Sequence, residues 1–152
     1  RRTCAMMSLL FSGILGQVCY SSVPRCQLAR RRSRRFSASC NARGIAIGLG
    51  IPAEEVNSPS FTLVQEYRGG RLGMYHVDLY RIADEPEPLR EIGLEELLSD
   101  PDAVIAVEWP RHALTGQLPR AARCWSISLE VDDGDRRHIT VDGPHPGCAG
   151  HG

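Results

Sequence analysis

The chain has 152 residues, enough for one domain with a real core, and a formal net charge of zero that averages two opposed parts. All 18 acidic residues lie from Glu54 onward, while nine of the 18 arginines precede it, so residues 1–53 carry +9 and the remainder −9. The six cysteines contain no C-x-x-C pair, which excludes the usual zinc and redox spacings, and nothing demands an oxidising compartment.

Residues 1–43 do not read as a series of folded elements. The apolar stretch Leu9 to Val18 is broken by Gly13 and Gly16 and is too short to span a bilayer. Three readings of the segment stand side by side. Arg1 and Arg2 before an apolar core imitate a secretory leader, and the acid-free, Arg- and Ser-rich continuation imitates a transit peptide. The third is a frameshift or misassigned start upstream of Gly44, in a chain that begins with Arg and is then a fragment or a conceptual translation. The run Arg30-Arg31-Arg32-Ser33-Arg34-Arg35 suits phosphate neutralisation, but only Phe36 lies near it for base stacking.

From Gly44 to about residue 142 the pattern is that of an ordinary domain. Gly44 to Ile51 reads as the end of an amphipathic helix stopped by Gly50 and Pro52. Phe61–Tyr67 and Leu72–Tyr80 read as strands of a hairpin closed by Arg68-Gly69-Gly70-Arg71. Leu89, Ile92, Leu94, Leu97 and Leu98 give Pro88–Leu98 an approximately helical spacing. Ala103–Val107 is a short continuous apolar run, suited to a strand buried on both faces. Trp125–Val131 and Arg137–Val141 alternate around Asp132-Asp133-Gly134-Asp135, a second hairpin, with Cys124 read as a small buried hydrophobe beside it. Residues 143–152, rich in Pro, Gly and His, read as a flexible tail.

Three segments place chemistry at strand ends or adjoining loops. Glu108 ends the apolar run, at the edge where open α/β sheets bind ligands, and an acid there helps hold Mg²⁺ in P-loop phosphoryl-transfer sites. Asp78 lies in an alternating strand, flanked by His76 and Arg81. It is either a polar-face carboxylate paired with Arg81 or a group that orients water or a metal-bound water. Ser58-Pro59-Ser60-Phe61-Thr62 sets three hydroxyls around a rigid proline, either as a turn into a strand or as a nucleotide-sensitive switch loop. Arg111, Arg136 and Arg137 are weaker candidates for phosphate contact, set against ordinary surface arginines.

Taken together, Asn57-Ser58-Pro59-Ser60-Phe61-Thr62-Leu63, Tyr75-His76-Val77-Asp78-Leu79-Tyr80-Arg81 and Val104-Ile105-Ala106-Val107-Glu108-Trp109-Pro110 resemble the TsaE family. The likeness runs from about Gly44 to Val141 and includes the linking Ile-Gly-Leu-Glu-Glu. It implies an α/β fold of the P-loop NTPase kind, a mixed sheet with flanking helices. It also implies ATP and Mg²⁺ as cofactors, a cytoplasmic bacterial setting without membrane attachment, and association with TsaB and TsaD in making threonylcarbamoyladenosine on tRNA. In that resemblance Asp78 and Glu108 are the catalytic and metal-binding acids. Ser58, Ser60, Thr62, Trp109, Arg111, Arg136 and Arg137 are then the candidates for nucleotide contact or switching.

The departure from the family is equally plain. Its first strand and its Gly-x-x-Gly-x-Gly-Lys-Thr loop belong just before the helix that ends near Gly50. Residues 20–43 contain neither a Gly-rich loop nor a lysine, and the whole chain has no lysine. Backbone N–H groups of such a loop cradle phosphates while its lysine neutralises them, and the arginine run lacks the glycines that allow that approach. The expectation is therefore a TsaE-like protein of tRNA modification impaired in ATP hydrolysis, with the sheet's centre unfilled and folding compromised. Two other readings are a non-catalytic interaction subunit of the same machinery and a basic nucleic-acid-binding module.

Overall fold

The computed structural model describes residues 2–11, 38–59, 61–115, 117–118, 122–131 and 137–146. In chain order these form β1 (Arg2–Phe11), α1 (Ala38–Leu49), a 3₁₀ turn at Ala53–Glu55, β2 (Val64–Tyr67) and β3 (Gly73–Asp78). There follow α2 (Pro86–Glu91), α3 (Leu94–Ser99), β4 (Ala103–Glu108), α4 (His112–Thr115), β5 (Arg123–Val131) and β6 (Arg137–Pro146). The strands make one mixed sheet in the order β2-β3-β4-β1-β5-β6, the α/β class expected from the sequence.

β3 and β4 are parallel, in register from Gly73 opposite Ala103 to Asp78 opposite Glu108. Their crossover passes through α2 and α3, as parallel strands require. Every residue of β4 is buried, because helices or loops cover both faces of the sheet there. On one face α1 packs Ala42, Ala46 and Leu49 over Met74, Val104 and Ala106. On the other, Leu89, Leu94, Leu98 and Leu114 from the short helices cover Val77, Ile105 and Val107, together with the buried thiol of Cys124. Among the described residues no helix is long and apolar enough to cross a membrane.

Four observations depart from the sequence reading. The single helix expected over Pro88–Leu98 is two, because Gly93 takes a left-handed φ of 71° between α2 and α3. The first hairpin strand begins at Val64, since residues 61–63 turn and Leu63 has a positive φ of 64°. The β5–β6 ladder runs past Gly143 to Pro146, with a register shift between Cys124 and Ser126. Most consequentially, Arg2–Phe11, from a segment with no legible element, occupies the centre of the sheet. It pairs antiparallel with β4, from Met7 opposite Glu108 to Phe11 opposite Val104, and antiparallel with β5. Backbone groups of β4 and β5 that an empty centre would leave unpaired are thereby satisfied.

The far end of α1 is fastened to the first hairpin. Gly50 (φ 86°) stops the helix as expected, the Arg71 amide donates to the Leu49 carbonyl at 2.7 Å, and Arg71 Nη2 reaches the Gly48 carbonyl at 2.9 Å. A Cβ on Gly70 would lie 2.5 Å from the Leu49 oxygen and 2.8 Å from Ile51 Cγ1. Replacing Gly70 by alanine should therefore cost about 1–3 kcal/mol in chemical denaturation, an overpacking penalty against backbone that cannot step aside.

At the same end Asp100 accepts hydrogen bonds from the Asp102 amide (2.9 Å), the Tyr75 hydroxyl (3.0 Å) and Arg68 (3.2 Å). The Asp102 amide is the main cause holding this carboxyl below its ordinary range, and partial burial opposes it. The resulting stability is fully present above the unfolded-state value of about 3.9 and lost as pH falls through the lower folded value. The stability gap between the native chain and Asp100→Asn should accordingly be constant near neutral pH and close on acidification below about 4; a gap that widens in acid would contradict this.

Candidate functional site

The parallel register sets Asp78 beside Glu108 at the C-terminal ends of β3 and β4. Both carboxylates are buried, at 7% and 4% exposure, at a sheet edge of the kind that binds ligands in open α/β folds. Alternation along the strands turns His76, Asp78, Ala106 and Glu108 to the face that α1 covers. The last turn of α1 is fixed at the start of β3, so its 12 residues, about 18 Å long, run back toward the carboxylate edge.

His76 is fully buried and its Nε2 lies 2.7 Å from Glu108 Oε1, across 32 residues of sequence. Its Nδ1 has no hydrogen-bond partner among the described residues. Asp78 Oδ1 accepts the Tyr80 amide at 3.0 Å, a local turn that ends the strand, in place of the Arg81 ion pair that one sequence reading offered. The Asp78 amide donates to the Leu63 carbonyl at 2.9 Å, and the Leu79 amide to the Glu108 carbonyl at 3.0 Å. These bonds tie three segments into one edge.

The loop before β2 is anchored at its start. The buried Tyr67 hydroxyl receives the Asn57 amide (3.1 Å) and donates to the Asn57 carbonyl (3.0 Å), while Pro59 is buried and its carbonyl accepts the Leu63 amide at 2.8 Å. Ser58 and Thr62 are exposed on this loop, Phe61 is 95% exposed, and Ser60 lies outside the described residues.

Trp109 follows Glu108 with a positive φ of 56°, a strained conformation for a bulky residue at a strand end. Its ring packs on Tyr80 at a centroid distance of 5.3 Å. Arg111, a candidate for phosphate contact, instead donates from Nε to the Leu79 carbonyl (3.2 Å) and from Nη2 to the Tyr80 carbonyl (2.7 Å). It holds the two strand exits together. Nearby, Asp84 accepts the Ala113 amide at 2.9 Å, the main reason its carboxyl sits below the ordinary range. Arg137 opens β6 opposite Val131, across β1 and β5 from Glu108, and Arg136 lies outside the described residues. The Arg30–Arg35 run lies outside them also.

His76, which the sequence marks only as a neighbour of Asp78, is the residue the fold adds to this edge. The signal was present, since a His two positions before Asp78 must share its face of the strand. Its partner was hidden because Glu108 reaches it only through the β3–β4 pairing.

Two adjacent carboxylates are the hard oxygen donors Mg²⁺ takes, and Mg²⁺ sites are completed by water and phosphate rather than by a protein cage. Among the described residues no group of three or more His, Cys, Asp or Glu side chains is arranged to hold a metal ion, so the donors on offer are these two carboxylates. The donor set thus fits a partly hydrated Mg²⁺. A triphosphate cradle fits less well. The strand beside β4 that should lead into a phosphate loop runs the opposite way, its Phe11 end lying at Val104 and not at Glu108.

Fold and edge together define an α/β protein with paired carboxylates at the end of a parallel strand pair. The model of the family "Threonylcarbamoyl adenosine biosynthesis protein TsaE" matches residues 39–139, and the chain belongs to that family. It is 41% identical over 98 residues to the tRNA threonylcarbamoyladenosine biosynthesis protein TsaE of Bacillus subtilis, a match covering 64% of this chain and 57% of that protein. The Treponema pallidum protein of the same name is 40% identical over 103 residues, covering 68% of this chain and 71% of its own length. The chain therefore spans less than two thirds of the Bacillus relative. The crystal structure of YdiB from Bacillus subtilis aligns with a TM-score of 0.49 at 29% identity, covering 73% of this chain and 64% of that one.

Removing the Arg111 guanidinium should loosen the edge. Arg111→Ala is expected to lose about 1–2 kcal/mol of stability, since two carbonyls give up a charged donor, and Arg111→Lys to recover only part because an ammonium lacks the fork. Unchanged denaturation midpoints would contradict this.

Proposed function

We propose that this chain is a TsaE-type protein of threonylcarbamoyladenosine synthesis on tRNA, with its carboxylate edge retained and its ATP turnover impaired. The observation that carries the proposal is the side-by-side placement of Asp78 and Glu108, with the Asn57–Leu63 loop bonded to the Asp78 amide. Family membership supplies the pathway, and the relatives' names place them in that biosynthesis. Asp78 and Glu108 would hold Mg²⁺, which when bound neutralises phosphate charge. The exposed hydroxyls of Ser58 and Thr62 would face whatever anion meets that ion. TsaB and TsaD are the partners implied by the family, with tRNA met through them, in the cytoplasm.

Two independent features support the proposed impairment. No lysine exists to neutralise a β- or γ-phosphate. The antiparallel β1 ends with Phe11 opposite Val104, at the other end of β4 from Glu108, where a strand leading into a phosphate site would run toward Glu108. A non-catalytic role within the same machinery is favoured by both features and is the form the proposal takes: binding without turnover.

The test is Mg²⁺-dependent ATP hydrolysis by the purified chain, measured beside the Bacillus subtilis relative, together with capture of TsaB and TsaD. Background turnover with retained capture is expected. Turnover at the relative's rate, abolished by Glu108→Gln, would overturn the impairment, and failure to capture either partner would overturn the assigned role.

A further inference from the structure

We propose that His76 is a positioning residue that restricts Glu108 to one metal-facing oxygen and thereby favours Mg²⁺ over Ca²⁺ at the Asp78–Glu108 edge. The inference rests on that edge holding a cation, as proposed above, and adds what decides which cation it takes.

His76 Nε2 stands 2.7 Å from Glu108 Oε1, with the histidine wholly buried and the glutamate nearly so. A carboxylate only accepts, so the ring donates from Nε2 and engages Oε1. Oε2 is left as the oxygen that His76 does not engage. The ring is wholly buried in the middle of β3, opposite Ala106 in the ladder and on the face that α1 covers.

The other ring nitrogen strengthens the assignment. A histidine kept for packing usually satisfies both nitrogens, whereas Nδ1 here has no partner among the described residues. Among the described residues the bond to Glu108 is thus the ring's one polar tie, and a half-satisfied buried imidazole is costly to keep.

The consequence for ion choice is geometric. Ca²⁺ takes six to eight oxygens and commonly engages a carboxylate through both, at about 2.3–2.6 Å. Mg²⁺ demands an octahedron at about 2.0–2.1 Å, keeps several waters and uses one or two carboxylates. A glutamate with one oxygen tied to a buried ring, beside a second carboxylate whose Oδ1 accepts a backbone amide, suits the second ion and handicaps the first. Freed from the ring, Glu108 can turn to present both oxygens.

The test titrates Mg²⁺ and Ca²⁺ against bound Mn²⁺, read by the electron paramagnetic resonance of free Mn²⁺, and needs no nucleotide. Relative to the native chain, His76→Leu should lower the Mg²⁺-over-Ca²⁺ preference about tenfold, the scale on which groups that orient metal ligands act. His76→Gln, whose amide can replace the Nε2 donor, should keep most of the preference, while His76→Asn, with a shorter reach, should not. A folded His76→Leu chain with unchanged preference would overturn the inference. If that variant does not fold, equal preferences in His76→Gln and His76→Asn would overturn it instead. Absence of a saturable Mn²⁺ site in the native chain would overturn it as well, leaving the turnover and partner-capture tests of the function independent of this outcome.

Discussion

A parallel ladder between two buried strands governs this molecule. Parallel pairing with Asp78 opposite Glu108 brings both strand ends out at one edge, and a one-residue slip would turn one acid to the opposite face. The register is held by apolar side chains on both faces, with α1 on one side and the short helices on the other. Every contact at the edge depends on it: the His76–Glu108 bond, the Leu79–Glu108 backbone bond, the Tyr80–Trp109 packing and the reach of Arg111 to two carbonyls. The strained backbone of Trp109 is sustained by the same surroundings.

The central strand completes the sheet from a segment with no legible element. β1 satisfies the backbones of β4 and β5 as an antiparallel strand. Hydrogen-bond ladders close in either direction. A phosphate loop is less forgiving, because it needs a strand that ends where the following helix begins. With β1 reversed, its exit lies at the Val104 level, away from Asp78 and Glu108. Architecture and strand direction separate here: the sheet's centre is filled while β1 runs away from the Asp78–Glu108 edge.

Much of the fold was legible in the sequence where local pattern and tertiary context agree. The run Ala103–Glu108 reads as a doubly covered strand and is one, and Gly50 ends a helix that the glycine pattern marks. Gly93 was equally visible, but a helical spacing of leucines masked the break until its positive φ divided α2 from α3. β1 was illegible for a different reason. Arg2–Phe11 has no strong alternation, and only its two long-range ladders make it a strand, a context that dominates β preference. At the site, Asp78 and Glu108 were visible through their motifs, whereas His76 and the structural engagement of Arg111 depend on cross-strand neighbours 31 to 32 residues away.

The direction of β1 is the point on which the account turns, and cross-strand proton contacts report it directly. Solution NMR on the isotope-labelled chain should show antiparallel α-proton and amide contacts that advance in opposite senses, linking Met7 with Glu108 and Phe11 with Val104. Contacts that advance in the same sense along the two strands, bringing Phe11 toward Glu108, would restore a loop-competent geometry and contradict the account.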